Sequence, residues 1–334
     1  MKFLENVSLK EYNTFGIDVK ARRMVVVEPR DFLGFAPAAV GGQWLDAEGM
    51  NLVLGAGSDV VFTRDYEGTV VLLANFHYSY AFPDHLLISA WGGMTMDSLV
   101  RWAIDNGFYG LENLSAIPGT VGAAVVQNVG AYGVEAKDVV ERVVVYDMEH
   151  HCTRTLGNAD CGFAYRDSIF KHHPGRYLVL RVFFRYSPTF TPVLTYKGLE
   201  SLPHATAQEM RDSITALRWK KLPRPEEHGS AGSFFKNPVV DEETFSRLKA
   251  EYPDMPEAHP MDGGRYKLSA GWLVDRAGWK GRTMGRVGVW PENALVLYNA
   301  GGCTGAEVVE LASAIQADVR QQFGVELTPE AIII

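Results

Sequence analysis

Cysteine is scarce: Cys152, Cys161 and Cys303 are all there are in 334 residues. No two form a CxxC pair, and an odd number does not make a disulfide framework, so a reducing compartment is the natural setting. Long apolar runs are missing too; none approaches the roughly 18 residues that a membrane span needs. Positive charge is in the minority, with 32 Lys and Arg against 40 Asp and Glu and a formal net charge of −8. No global positive field therefore draws nucleic acid or an anionic membrane, and an anionic ligand would need a local cluster of Lys and Arg. The opening Met1-Lys2-Phe3-Leu4-Glu5-Asn6 reaches an acid before an apolar signal core can form, which predicts a cytoplasmic protein. There is no internal repeat and no low-complexity segment.

What is present is the profile of a folded protein, 47% apolar and 22% charged, long enough for two or three domains. Short β-branched runs bounded by Gly, Pro, Asp or Asn predict strands over 24–27, 52–54, 70–73, 86–90, 140–146 and 178–186. Met96, Leu99, Val100, Ala103 and Ile104 follow a 3.6-residue period, a helix that Gly107 is placed to end. Strands outnumber helices without alternating strictly with them, which predicts an α+β class rather than a doubly wound sheet. A charged helix over 207–220 runs into Leu222-Pro223-Arg224-Pro225-Glu226-Glu227-His228-Gly229, a boundary rich in breakers. Beyond it, helices are expected over 242–252, 268–277 and 304–323, the last with Thr304 and Glu307 at capping-box spacing and Gly324 as C-cap. Strands are expected over 294–298 and 331–334.

Two glycine-rich segments stand out. Leu52-Val53-Leu54-Gly55-Ala56-Gly57-Ser58-Asp59-Val60 is a strand feeding a turn whose N–H groups can approach a phosphate; Val60 sits where a Rossmann fingerprint wants a third glycine. Such turns also serve as plain tight connections. Ser115-Ala116-Ile117-Pro118-Gly119-Thr120-Val121-Gly122-Ala123-Ala124-Val125-Val126-Gln127-Asn128-Val129-Gly130-Ala131-Tyr132-Gly133 interleaves four glycines and two adjacent amides with apolar residues. Gln127 and Asn128 can read the edge of a heteroaromatic ring, and a pair of turns around a short helix accounts for the same composition.

These segments resemble the FAD-binding segments of the UDP-N-acetylenolpyruvoylglucosamine reductase (UDP-N-acetylmuramate dehydrogenase) family. The resemblance continues in order through Tyr165-Arg166-Asp167-Ser168, Thr195-Tyr196, Lys221-Leu222-Pro223, Gly232-Ser233-Phe234-Phe235-Lys236-Asn237-Pro238, Ala270-Gly271-Trp272-Leu273 and Pro329-Glu330. It implies an FAD-binding region of the vanillyl-alcohol-oxidase (PCMH) type in two subdomains, about 1–72 and 73–222. A smaller α+β substrate domain over 223–324 and a strand over 325–334 returning to the active site complete the expectation. It further implies bound FAD, NADPH as hydride donor, a UDP-sugar substrate, no nucleic-acid or membrane partner, a monomer, and a role in peptidoglycan precursor synthesis. The FAD contacts it implies are Gly55, Ala56, Gly57, Ser58, Asp59, Ile117, Pro118, Gly119, Thr120, Gly122, Gln127, Asn128, Gly130, Ala131, Tyr132 and Gly133.

Reducing an enol ether conjugated to a carboxylate needs a hydride donor at the β-carbon, a cation or acid for the enolate, and a proton for the α-carbon. The planar fork of Arg166 suits a carboxylate, although a salt bridge to the adjacent Asp167 is the plainer reading of the residues alone. Ser233 follows a glycine, the usual place of a turn serine, and no GxSxG elbow surrounds it. Glu330 reads on its own as a solvated terminal carboxylate. The resemblance implies that Ser233 donates the proton and that Arg166 and Glu330 stabilise the enolate. Lys221, with Arg218 nearby, Lys236 and Lys280 supply the local positive cluster. The family counterparts of Tyr196, Lys221, Asn237 and Lys280 lie around the substrate, and Arg218 and Asn293 join them as candidates.

Two departures touch the periphery. Asp59 replaces the usual Asn in the first glycine turn, and Ala331-Ile332 follow Glu330 where many relatives carry an arginine. His150-His151-Cys152, Cys161 and His172-His173 match no zinc spacing, so no metal is expected. A flavoenzyme of the same cofactor fold with another substrate, or a catalytically silent UDP-sugar-binding protein, would account for parts of the pattern.

Overall fold

A computed structural model describes residues 1–31 and 51–334. The chain divides into two compact units. The first gathers Met1–Val7, Lys20–Ala56 and Tyr66–Arg218; the second gathers Ser8–Val19, Gly57–Asp65 and Trp219–Ile334.

Among its described residues the first unit has two larger sheets, beside a two-stranded ladder of Gly130–Ala131 and Val134–Glu135. In one, Lys20–Val27 and Asn51–Leu54 both pair in parallel with Tyr66–Leu73, and Lys2–Ser8 forms the outer edge. Parallel strands are covered on both faces, which is why Met24-Val25-Val26-Val27 and Val70-Val71-Leu72-Leu73 are unbroken apolar runs. The other sheet is antiparallel throughout, in the order Cys152–Gly157, Val140–Asp147, Tyr177–Arg185, Leu87–Trp91, Ser79–Phe82. The helix Met96–Asp105 is capped by Thr95, whose hydroxyl accepts from Ser98 N, and it buries Met96, Leu99, Val100 and Ala103 in the main core. The helix Ala207–Lys221 is polar on most of its surface and buries Ala207, Met210 and Ile214.

In the second unit, Ser230–Ser233, Val296–Asn299, Val287–Val289 and Thr283–Met284 form an antiparallel sheet. A smaller sheet joins Val239–Asp241, Arg265–Lys267 and His259–Met261. The long helix Gly305–Phe323 has the reciprocal Thr304–Glu307 capping box and ends on left-handed Gly324. The last strand, Ile332–Ile333, pairs in parallel with Val60–Val61.

The α+β class follows from these sheets, and most expected elements fall within a residue or two of their places. The strand expected over 86–90 becomes Leu87–Trp91, because Leu86 takes φ +51° as it closes the short 3₁₀ turn Pro83–His85. The helix expected over 268–277 is Ala270–Arg276, since Ser269 stands outside it as its cap. The strand expected over 294–298 is Val296–Asn299, because the Asn293 side chain accepts Leu295 N and forms a turn there.

At the end of the strand Val140–Asp147, the fully buried Asp147 carboxylate accepts from Arg176 and His150. Burial pushes its pKa up, but Arg176 and the backbone and side chain of His150 outweigh that and hold it at about 2. Oxygens of Asp147 and Glu149 and a ring nitrogen of His150 lie within 4.8 Å of one another. Arg176 reaches both carboxylates, at 3.0 and 2.8 Å, so a guanidinium already balances their charge. Because the folded pKa is depressed, this stabilisation is complete above about pH 4 and fades as pH falls towards 2. Asp147→Asn is expected to lower the unfolding free energy at neutral pH by about 2–3 kcal/mol, with the deficit shrinking in acid, as read by urea unfolding across pH.

Candidate functional site

In the first unit, the strand Asn51–Leu54 delivers Gly55 against the start of the helix Val121–Val126. A Cβ on Gly55 would lie 2.8 Å from Ala123 Cβ and 3.0 Å from Thr120 Oγ1, so the approach requires glycine. The first amides of that short helix are engaged: Val121 N donates to Met94 O, Gly122 N to Gly92 O and Ala123 N to Thr120 Oγ1. Among the described residues, by contrast, Ala56 N and Gly57 N donate to nothing. The donors available to an anion are therefore in the glycine turn and not at the helix N-terminus.

The second glycine segment is held in a strained path. Of the seven non-glycine residues with positive φ among those described, Ala116, Asn128, Tyr132 and Arg166 belong to this segment or to the turn packed on it. Left-handed backbone in non-glycine residues is costly and collects where the chain must present particular groups. Asn128 is fully buried; its Nδ2 donates to Ala164 O at 2.8 Å and its Oδ1 accepts Lys137 N at 3.0 Å. Its amide therefore shapes the loop instead of presenting an edge to a ring, as the sequence suggested it can. Asn113 plays a similar part, donating to Tyr132 O and Val193 O.

Arg166 and its neighbour Asp167 reach different partners. Asp167 accepts from His172 at 2.8 Å and from Ser168 N, because the turn closed by Ala164 and Asp167 turns the two side chains apart. Arg166, at φ +55°, donates to Gly130 O at 3.3 Å, on the glycine segment itself. The Tyr132 ring meets Tyr196 edge to face at 4.8 Å and hydrogen-bonds Arg218, whose Nε is buried with no hydrogen-bond partner among the described residues. Burial disfavours the Arg218 charge, and Tyr132 offsets that in part. Burial likewise raises the Tyr132 phenol, against the pull of Arg218.

In the second unit, Gly57 at φ +63° packs on the chain before it: a Cβ there would meet Tyr12 O at 2.1 Å. Thr14 N donates to Gly57 O, and Thr14 Oγ1 to Ser230 O at 2.6 Å. Ser233 ends its strand opposite Val296. Two residues on, Phe235 bridges Pro329, Lys236 N donates to Thr328 O and Glu330 N donates to Phe234 O at 2.7 Å. Ile332 N then reaches Asp59 O at 2.9 Å. One ladder thus brings together Ser233, Glu330 and the end of the first glycine turn, residues that lie 97 and 174 positions apart. The fully buried Phe234 and Phe235 fix it in the core.

The remaining candidates are dispersed. Asn237 Oδ1 accepts Ala270 N, Asn293 Oδ1 accepts Leu295 N, and Lys280 lies 3.6 Å from Asp275 at the surface. Lys221 is exposed at the end of its helix. The side-chain oxygens of Asn237 and Asn293 hold the local backbone. Asp97 and Arg211, which hold the glycine segment from outside it, carry no signal in the sequence: they are 114 residues apart on different helices.

Comparison with known proteins bears on both glycine segments and on the ladder. Residues 43–154 match the family described as FAD binding domain, and residues 224–334 match UDP-N-acetylenolpyruvoylglucosamine reductase, C-terminal domain. A UDP-N-acetylenolpyruvoylglucosamine reductase of Burkholderia ambifaria is 44% identical, covering 100% of this chain and 97% of its own. One from Pseudomonas aeruginosa is also 44% identical, covering 99% and 98%. The crystal structure of UDP-N-acetylenolpyruvylglucosamine reductase from Thermus caldophilus superposes with a TM-score of 0.65 at 26% identity, over 99% and 98% of the two chains.

Proposed function

Since the chain belongs to the UDP-N-acetylenolpyruvoylglucosamine reductase family, an FAD-dependent oxidoreductase family of peptidoglycan precursor synthesis, we propose that it reduces UDP-N-acetylglucosamine enolpyruvate to UDP-N-acetylmuramate with NADPH. The observation that carries this reading is the Phe235–Pro329 bridge, which ties Glu330 to the strand of Ser233 within the matched C-terminal domain.

FAD, when bound, carries the hydride from NADPH to the β-carbon of the vinyl ether. The free N–H groups of Ala56 and Gly57 suit its pyrophosphate, and Ile117, Pro118, Gly119, Gln127, Gly130, Ala131 and Gly133 would help to hold it. Ser58, Asp59, Thr120 and Gly122, in the turn and at the helix start, would complete its binding site. The guanidinium of Arg166 holds the substrate carboxylate and, with Glu330, the enolate. The Ser233 hydroxyl delivers the proton to the α-carbon. Tyr196, Arg218, Lys221, Asn237, Lys280 and Asn293 take the diphosphate and sugar, and the unpartnered Arg218 Nε is a ready donor for an anion.

On this reading residues 1–222 form the FAD-binding region, with 8–19 and 57–65 grouped with the substrate domain over 223–324, and 325–334 brings Glu330 to the site. No helix among the described residues is long and apolar enough to cross a membrane. A monomer acting in the cytoplasm on a nucleotide-linked sugar fits this account.

Purified protein is expected to be yellow, to bleach on adding NADPH, and to recover colour when the UDP-enolpyruvyl sugar is added. Bleaching without recovery would mark a flavoenzyme with another substrate. A colourless protein that takes up no FAD would mark a binding module.

A further inference from the structure

The glycine segment begins with Ala116, a non-glycine residue at φ +55° just before Ile117-Pro118-Gly119. Its N–H donates to Asp97 Oδ1 at 2.7 Å. Asp97 lies in the first turn of the helix Met96–Asp105 and takes both arms of Arg211, at 2.6 Å on Oδ1 and 2.9 Å on Oδ2. Arg211 comes from the helix Ala207–Lys221 and is 7% exposed, on the face that also buries Ala207, Met210 and Ile214. A bidentate, buried guanidinium fixes a carboxylate far more tightly than a surface pair does. Burial pushes the Asp97 carboxyl up, and the bonds from Arg211 and Ala116 overcome it, so the group stays ionised.

Main-chain bonds also tie these two stretches: Met96 N to Gly119 O, Val121 N to Met94 O and Gly122 N to Gly92 O. Those bonds form wherever the two backbones meet. The Asp97 carboxylate adds a charged side chain to them, and it grips a residue whose backbone is left-handed without being glycine.

We infer that the Asp97–Arg211 ion pair is a positioning device that holds Ala116 in the left-handed conformation and so presets the segment that receives FAD. The inference rests on the reading that residues 117–133 contact the flavin. In this role Asp97 and Arg211 act through Ala116. A preset loop binds its ligand without first being ordered, so loss of the grip weakens binding even where the fold survives.

The test is titration of apo-protein with FAD, followed by flavin fluorescence. Asp97→Ala is expected to weaken FAD binding by about tenfold or more, since it strands the Ala116 N–H and releases Arg211. Asp97→Asn keeps an oxygen for Ala116 and is expected to lose less. Ala116→Gly, which adopts the left-handed backbone without strain, should restore most of the affinity in either Asp97 background. A general structural role would not respond to that second change. Should Asp97→Ala fail to fold, Asp97→Asn with and without Ala116→Gly decides the matter. Equal FAD affinity in wild type and Asp97 variants, or no recovery with Ala116→Gly, overturns the inference. Failure of the wild-type protein itself to take up FAD would instead sink the reading on which the inference rests.

Discussion

Replacing Ser233 with alanine is expected to leave NADPH-driven bleaching at its native rate while slowing formation of UDP-N-acetylmuramate by about 10²–10⁴-fold. A serine hydroxyl is a weak acid, so it can serve only a strongly basic carbon centre and only when held at the right place. The holding is visible: Ser233 closes a strand paired with Val296 and is followed at once by two fully buried phenylalanines. Removing one oxygen from a half-buried strand end leaves no cavity in the core, so the unfolding midpoint should scarcely move. Stopped-flow absorbance separates the two halves of the reaction, and a variant that completes turnover at the native rate would remove Ser233 from the mechanism.

Glu330→Gln carries the second large effect. It is expected to slow turnover by about 10²–10³-fold, again with bleaching by NADPH unchanged. The backbone anchors of this residue do not involve its carboxyl: Glu330 N donates to Phe234 O and Ile332 N to Asp59 O. The substitution therefore removes one ionisable group while the ladder stays paired. Cutting the chain after Gly324 should also abolish turnover, but it is a poorer test. It takes away buried Val325, Leu327 and Ala331 together with the pairing of Ile332–Ile333 against Val60–Val61. A comparison of product formation with thermal melting distinguishes the two, since only the truncation should fail in both.

Much of this architecture was legible in the sequence wherever a signal is local. The period of Met96, Leu99, Val100 and Ala103 fixed a helix, and the Thr304–Glu307 spacing fixed the start of another, because both depend on residues three or four apart. The ordered motifs point to FAD, and the FAD-binding family match agrees. What was not legible depends on partners far along the chain. Residues 8–19 and 57–65 group with the C-terminal third through contacts such as Thr14 Oγ1 to Ser230 O, which spans 216 positions. The role of Asp97 carries no local signal, because its guanidinium partner lies on a helix 114 residues later.

Adjacency alone does not decide what a side chain reaches. Arg166 and Asp167 are neighbours in sequence, yet a tight turn sends one to Gly130 and the other to His172. Asn128 carries the chemistry to read a ring edge, but at φ +43° it is turned into the core, where backbone groups meet both ends of its amide. In each case the local backbone, which sequence patterns constrain weakly, decided what the side chain could reach.

The claim on which the account turns is that the Arg166 guanidinium and the Ser233 hydroxyl serve the same bound vinyl ether. A crystal structure of the protein with FAD and UDP-N-acetylglucosamine enolpyruvate tests it most directly. The expected result is the substrate carboxylate on Arg166 and Ser233 Oγ within about 3.5 Å of the α-carbon. A substrate bound in full occupancy with either side chain well beyond contact distance of it would contradict the assignment.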